Sequence, residues 1–229
     1  MQKYRSVITL GILLGAASVS NATIVGFGQI GGSNATVPAN LASNATADGN
    51  GYTVSNGTTP NITLSWDVNW DVHQSAQFAN LENLTVGGGA WDNEGGGPRI
   101  GQLDTGSHTI GFTVDQGFAL VLNSFDFAHT GETPGTTDWT LSLTNSSLAV
   151  VWQTTVEFVN GQAINVAPSF TGTDGEDYVL TFTRTASTYS SDGRHGIDNL
   201  SFNQVAVPEP ATASLLGIVG LAALVRRRR

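Results

Sequence analysis

The chain has no cysteine, one methionine and one lysine, Lys3, close to its N-terminus. Without thiols there can be no disulfide, no thiolate metal site and no cysteine nucleophile. Charged residues make up only 12% of the 229, and most of the cations sit at the two ends. Between residues 23 and 206, Arg99, Arg184 and Arg194 oppose seventeen acids, a net charge of −14. That balance repels phosphate backbones and anionic headgroups and excludes nucleic-acid binding, while favouring solubility and divalent cations. No long stretch of this middle region repeats its apolar residues every 3.6 positions, and no fixed-period repeat suggests a solenoid. His73, His108, His129 and His195 occur singly, without His-x-x-x-His spacing, and there is no Gly-x-Ser-x-Gly elbow. A glycosidase carboxylate pair leaves no linear signature, because its spacing is set in three dimensions.

The two ends carry what the middle lacks. Lys3 and Arg5 precede a mostly apolar segment from Val7 to Val19, and Ser20-Asn21-Ala22 supplies small residues where a signal peptidase reads. Residues 1–22 are therefore expected to be a signal peptide, its apolar part helical, with cleavage after Ala22. At the other end Pro208-Glu209-Pro210 is followed by an apolar stretch and then by Arg226, Arg227, Arg228 and Arg229. Pro208 and Pro210 lack amide protons and keep the chain extended around Glu209. A span over 213–225 is barely membrane-long at ~1.5 Å per residue, against a hydrocarbon core of ~30 Å. The four arginines resist translocation and stay cytoplasmic, so the domain ahead of them lies outside the inner membrane.

The order Pro-Glu-Pro, apolar span and arginine stop over 207–229 resembles the PEP-CTERM sorting signal of Gram-negative bacteria, also catalogued as an ice-binding protein C-terminal domain. That resemblance implies export, transient anchoring in the inner membrane and processing by exosortase. The destination it implies is the cell surface or the extracellular polysaccharide matrix.

Thr23 to Ala206 reads as one all-β domain of about 180 residues, long enough to bury a core without staples. Thr, Val, Ser, Asn and Gly dominate it, as in strands joined by turns. Ile62-Leu64-Trp66-Val68-Trp70-Val72 alternates with Thr63-Ser65-Asp67-Asn69-Asp71-His73, so one face meets a core and the other meets water. A run of that length calls for a bend or bulge within it. Shorter alternations recur at 108–114, 139–143, 152–158 and 178–182. Between Leu122 and Phe125 the phase slips by one residue near Asn123-Ser124, as a bulge or sheet corner requires. Asn56-Gly57, Asn160-Gly161, Asp174-Gly175 and Asp192-Gly193 are turn signals. The expectation is an antiparallel, jelly-roll-like β-sandwich flanked by a signal helix and a transmembrane helix. Eight Asn-x-Ser/Thr tripeptides read as ordinary surface polarity in so Asn- and Thr-rich a chain.

Three places invite a chemical reading. Gly87 to Gly97 carries Trp91, Asp92, Asn93 and Glu94 between glycines, with Arg99 close behind. An exposed indole beside amide and carboxylate groups can stack on a sugar and bond its hydroxyls; the same Trp91 could instead fold back as a lid on the sandwich. Asp67-Val68-Asn69-Trp70-Asp71 has the opening spacing of an EF-hand loop, but Val72 stands where glycine belongs and Phe78 where glutamate belongs. Asp198 shares parity with Leu200 and Phe202, so it is expected to point inward, where a carboxylate needs a partner. Gly196 to Phe202 resembles the closing strand of jelly-roll carbohydrate-binding modules, which implies a structural calcium at Asp198. Arg184, backbone groups, or exposure at a strand end are the alternatives. The functional expectation is a non-catalytic glycan-associated or adhesion module. A structural surface protein without a small ligand, or a polysaccharide-processing enzyme, are the other readings.

Overall fold

In the computed structural model the residues described are 21–27, 30, 35–45, 53–55, 57–74, 99–103, 106–130, 136–159, 162–187 and 194–208. They hold fourteen strands: β1 (Thr23–Val25), β2 (Ala35–Thr36), β3 (Thr53–Ser55), β4 (Ile62–Trp66), β5 (Asp71–Gln74), β6 (Arg99–Leu103), β7 (Ser107–Val114), β8 (Phe118–Thr130), β9 (Thr136–Asn145), β10 (Val150–Val159), β11 (Gln162–Val166), β12 (Phe170–Thr171), β13 (Tyr178–Ser187) and β14 (Arg194–Ala206). Every pairing among them is antiparallel. One sheet runs β11-β8-β14-β6-β5-β2, with β1 added on β14, β3 on β1 and β12 on β8; the other runs β10-β9-β13-β7-β4. Among the described residues no helix is long and apolar enough to cross a membrane. The signal helix and the span expected at 213–225 lie outside those residues.

The two sheets meet through rings. Phe125 and Phe127 of β8 touch Phe182 of β13, Phe127 also touches Trp139 of β9, and Phe112 of β7 touches Phe202 of β14. The series continues from Phe182 to Trp70, Trp66 and Phe27, each pair edge-on with centroids 5.2–5.7 Å apart. Edge-to-face contact suits the ring quadrupole, and each buried ring contributes ~1.5–3 kcal/mol by leaving water. The indole N–H groups of Trp66 and Trp70 donate to the carbonyls of Leu41 and Thr109, at 3.0 and 2.9 Å.

The long alternation from Ile62 to Val72 is two strands in two sheets. Ile62, Leu64 and Trp66 are buried as expected, and β4 pairs with β7. Val68, which the alternation assigns to the core, is instead 89% exposed. The reason is local chemistry at Asp67. Its carboxylate accepts from the Asn69 N–H at 2.8 Å, an Asx turn, and from the N–H of Thr109 on β7. The chain turns at 67–70 and re-enters as β5, which pairs with β6 and β2. Trp70 and Val72 are buried again beyond the turn. The EF-hand-like spacing is thus a corner between sheets, and its first acid is occupied by backbone amides.

The slip near Asn123 has a counterpart on the neighbouring strand. Asp126 faces Asp198, then Ser124 faces Ser201 and Leu122 faces Phe202, so β14 gains a residue and β8 gains one back. Asn199 takes the extra position on β14 with φ 52°, a left-handed conformation that Asn tolerates. At Asp174-Gly175 the turn signal holds: Gly175 has φ 60°, and Asp174 accepts from the Gly117 N–H at 2.6 Å. Asn160-Gly161 lies outside the described residues; of the strands on either side of it, β10 pairs with β9 in one sheet and β11 with β8 in the other.

The corner at Asp67 predicts a contrast. Asp67→Ala removes the acceptor for two backbone N–H groups and is expected to lower stability by about 1–3 kcal/mol, read as a fall in the urea midpoint at unchanged m. Val68→Ser, at the position the alternation would bury, is expected to shift it by no more than ~0.5 kcal/mol.

Candidate functional site

Trp91, Asp92, Asn93 and Glu94 lie outside the described residues. Arg99 opens β6 opposite Gln74 of β5. Pro208 is exposed, one residue after the Val207 N–H donates to the Gly117 carbonyl at 2.8 Å. Glu209, Pro210 and Arg226 to Arg229 lie beyond the described residues.

Asp198 is completely buried, but on the side of its sheet opposite the one parity predicts. Ile197 and Leu200 both enter the core, and the bulge at Asn199 between them turns Asp198 to the other face. There it stands opposite Asp126, itself 2% exposed, between the core residues Phe125 and Phe127. Asn165 of β11 pairs with Asp126 from the other side and donates its amide to one carboxylate oxygen at 2.8 Å. Asn199 donates to the second oxygen at 3.0 Å. A polar row of Asn165, Asp126 and Asp198 therefore crosses three adjacent strands. Arg184 lies on β13 of the other sheet, paired with the core residue Trp139, so the register does not bring it to the face that carries Asp198.

Burial pushes the Asp126 carboxyl above the ordinary aspartate range, against the two amide hydrogen bonds that pull it down. Calcium takes six to eight oxygens. The residues here offer two carboxylates and two amides, and both amides turn their nitrogen to Asp126. No group of three or more His, Cys, Asp or Glu able to hold a metal occurs among the described residues. Burial of Asp126 favours its protonated form.

The second feature is a groove of about 510 Å³ between β10 and β11. Among the described strands these are the edges of the two different sheets, so the groove runs along an open side of the described sandwich. Trp152, Val156 and Ile164 are half-buried and pack on the core as its floor. Gln153, Thr155, Glu157 and Asn165 alternate with them and are exposed. Asn165 thus belongs to both features: it lines the groove and holds Asp126.

Sequence reasoning takes Trp152 for a core residue and passes over Asp126 and Asn165. The flanking phenylalanines of Asp126 give it the parity of a solvent-side residue, and only the burial of Asp126 and Asp198 shows that this face is covered here. Among the histidines, His195 sits within β14, against Trp139 at 5.0 Å. His108 is buried in β7 against Trp70 at 5.4 Å. The side chains of His73 and His129 lie outside the described residues.

The raised Asp126 carboxyl sets the sign of a pH effect. A group titrating higher folded than unfolded contributes most below its unfolded pKa and loses that contribution as pH rises through the folded value. Relative to Asp126→Asn, the wild-type thermal midpoint is expected to climb as pH is lowered from neutral toward the unfolded aspartate pKa of about 4, equally with and without chelator. A chelator-dependent fall at neutral pH would instead place a cation on the pair.

No curated protein matches the chain. Among solved structures it is similar to TmCBM61 in complex with β-1,4-galactotriose, at 14% identity and a TM-score of 0.31, covering 64% of this chain and 88% of that one. It is also similar to the arabinose-bound MgGH51 α-L-arabinofuranosidase, at 13% identity and a TM-score of 0.38, over 83% of this chain and 27% of that one. A family 16 carbohydrate binding module-2 follows at 18% identity and a TM-score of 0.23, over 47% and 78%. The sandwich assignment rests on the strands and registers of this chain. Residues 206–229, which begin at the last residue of β14, match the PEP-CTERM protein-sorting motif, and the chain carries that sorting motif at its C-terminus.

Proposed function

We propose that this chain is an exported protein of the cell surface or extracellular matrix, processed at its C-terminal sorting signal, whose sandwich is a non-catalytic, glycan-associated or adhesion module. The observation that carries the reading is the sorting motif at 206–229, joined without a long stalk to an acidic all-β domain. In this reading a signal peptidase removes residues 1–22. Residues 213–225 hold the protein in the inner membrane until exosortase acts near Glu209.

The site features agree with a module that does no chemistry. Asp126 is bound by two amides in a buried row, rather than placed across a cleft from a second carboxylate as glycoside hydrolysis requires. The groove between β10 and β11 contributes a single acid, Glu157. A structural surface protein that binds no glycan would share the address and the fold, and differs only in having no ligand.

Mass spectrometry of the surface-associated protein is expected to find a C-terminus upstream of the apolar stretch. Deleting residues 207–229 is expected to abolish surface retention while leaving export intact. Intact chains ending at Arg229 on the cell surface, or a folded domain in the cytosol, would overturn the reading.

A further inference from the structure

The groove between β10 and β11 lies apart from the Trp91 segment in sequence, and its chemistry is specific. Its floor offers a half-buried indole, Trp152, with Val156 and Ile164 beside it. The polar residues of the lining are Gln153, Thr154, Thr155, Glu157 and Asn165, of which Thr154 shares the face of Trp152. Asn165 is aimed by Asp126, which takes its N–H at 2.8 Å and leaves its carbonyl oxygen for other partners. Gln153, Thr155 and Glu157 have no side-chain hydrogen bond among the described residues, so their bonding capacity is available to a ligand. The lining contains no lysine or arginine.

We propose that this groove binds a neutral polysaccharide chain. The proposal rests on the glycan-associated reading above and gives it a site and a ligand charge. A pyranose ring presents an apolar C–H face and a rim of hydroxyls, which matches an indole floor flanked by amides and a hydroxyl. A peptide strand matches less well, because it can extend only one of the two sheets, whereas the groove has a wall from each. Residues 152–157 of β10 extend about 20 Å at ~3.3 Å per residue, room for several sugar rings in line. Uronic-acid polymers are disfavoured twice, by Glu157 in the lining and by the −14 of the domain, with no cation in the groove to answer them.

The test is affinity electrophoresis of the full chain in mild detergent, through gels containing soluble β-glucan, galactan or polygalacturonate. Retardation by a neutral polymer and none by polygalacturonate is expected. Trp152→Ala is expected to weaken retardation about tenfold. Because Trp152 packs on the core, Gln153→Ala with Glu157→Ala serves as a second variant: both residues are exposed, and the pair is expected to weaken retardation several-fold at an unchanged thermal midpoint. Retardation of both variants equal to wild type, or stronger retardation by polygalacturonate, would overturn the proposal. Loss of retardation on Trp91→Ala with both groove variants unaffected would move the site to the Trp91 segment and leave the glycan reading standing. Failure of the wild type to be retarded by any of the polymers would count against that reading itself.

Discussion

The paired slips in β8 and β14 decide which residues of the two longest strands meet the core and which meet the other side. Side chains alternate with period two, so a single uncompensated extra residue would invert every position beyond it. Here the extra residue at Asn199 is matched by one at Asn123-Ser124, and the ladder resumes with Leu122 opposite Phe202. Both strands therefore keep apolar residues inward on either side of the crease: Phe125, Phe127 and Ile197 before it, Leu120, Leu122, Leu200 and Phe202 after it. The ring contacts that join the sheets depend on this, because Phe125 and Phe127 reach Phe182 only if β8 changes phase after Leu122. Asp126 and Asp198 are placed on the opposite face by the same event.

How much of this was legible in the sequence differs from strand to strand. The alternations at 62–66, 108–114 and 139–143 are strands at those positions, because each has one face in the core and one face outside. The slip at Asn123 was visible too, since Leu122 and Phe125 cannot share a face in a regular strand. Its partner at Asn199 was not. Asp198-Asn199-Leu200 reads smoothly as in-out-in, and only pairing with β8 shows that Asn199 occupies an extra position. The corner at Asp67 lay between these cases: a bend was expected from length, but Val68 fits the alternation and nothing in composition marks it as exposed. The signal was Asp67 with Asn69 two residues on, an Asx turn written in the polar half of the pattern.

The groove was illegible for a different reason. Whether Trp152 is a core residue or a groove residue depends on whether its strand has a neighbour on both sides, and that is a property of sheet order. In β9, which has two neighbours among the described strands, Trp139 is fully buried; in β10, which has one, Trp152 is half-buried. The same residue type in the same alternating context thus becomes two different things. Asn165 follows the same logic, since it gains its role only by lying next to Asp126 across the β8–β11 pairing.

Open edges need protection, and the composition suggests how this chain supplies it. Among the described strands the ten residues of β10 form an edge whose outer positions include exposed Val150 and Val151. Edges of that length commonly carry lysine or proline to block pairing with another chain, and β10 has neither. What it has is Glu157 and a domain whose charge of −14 makes like molecules repel over a Debye length of ~8 Å at physiological salt. Net charge of one sign discourages self-association while leaving a neutral ligand free to approach. Lysines on β10 would have guarded the edge equally well, but at the expense of attracting anionic polymers into the groove. An acidic surface with a cation-free, indole-floored groove satisfies both requirements at once, which ties the scarcity of cations in the middle of the sequence to the ligand that the open side of the sandwich can accept.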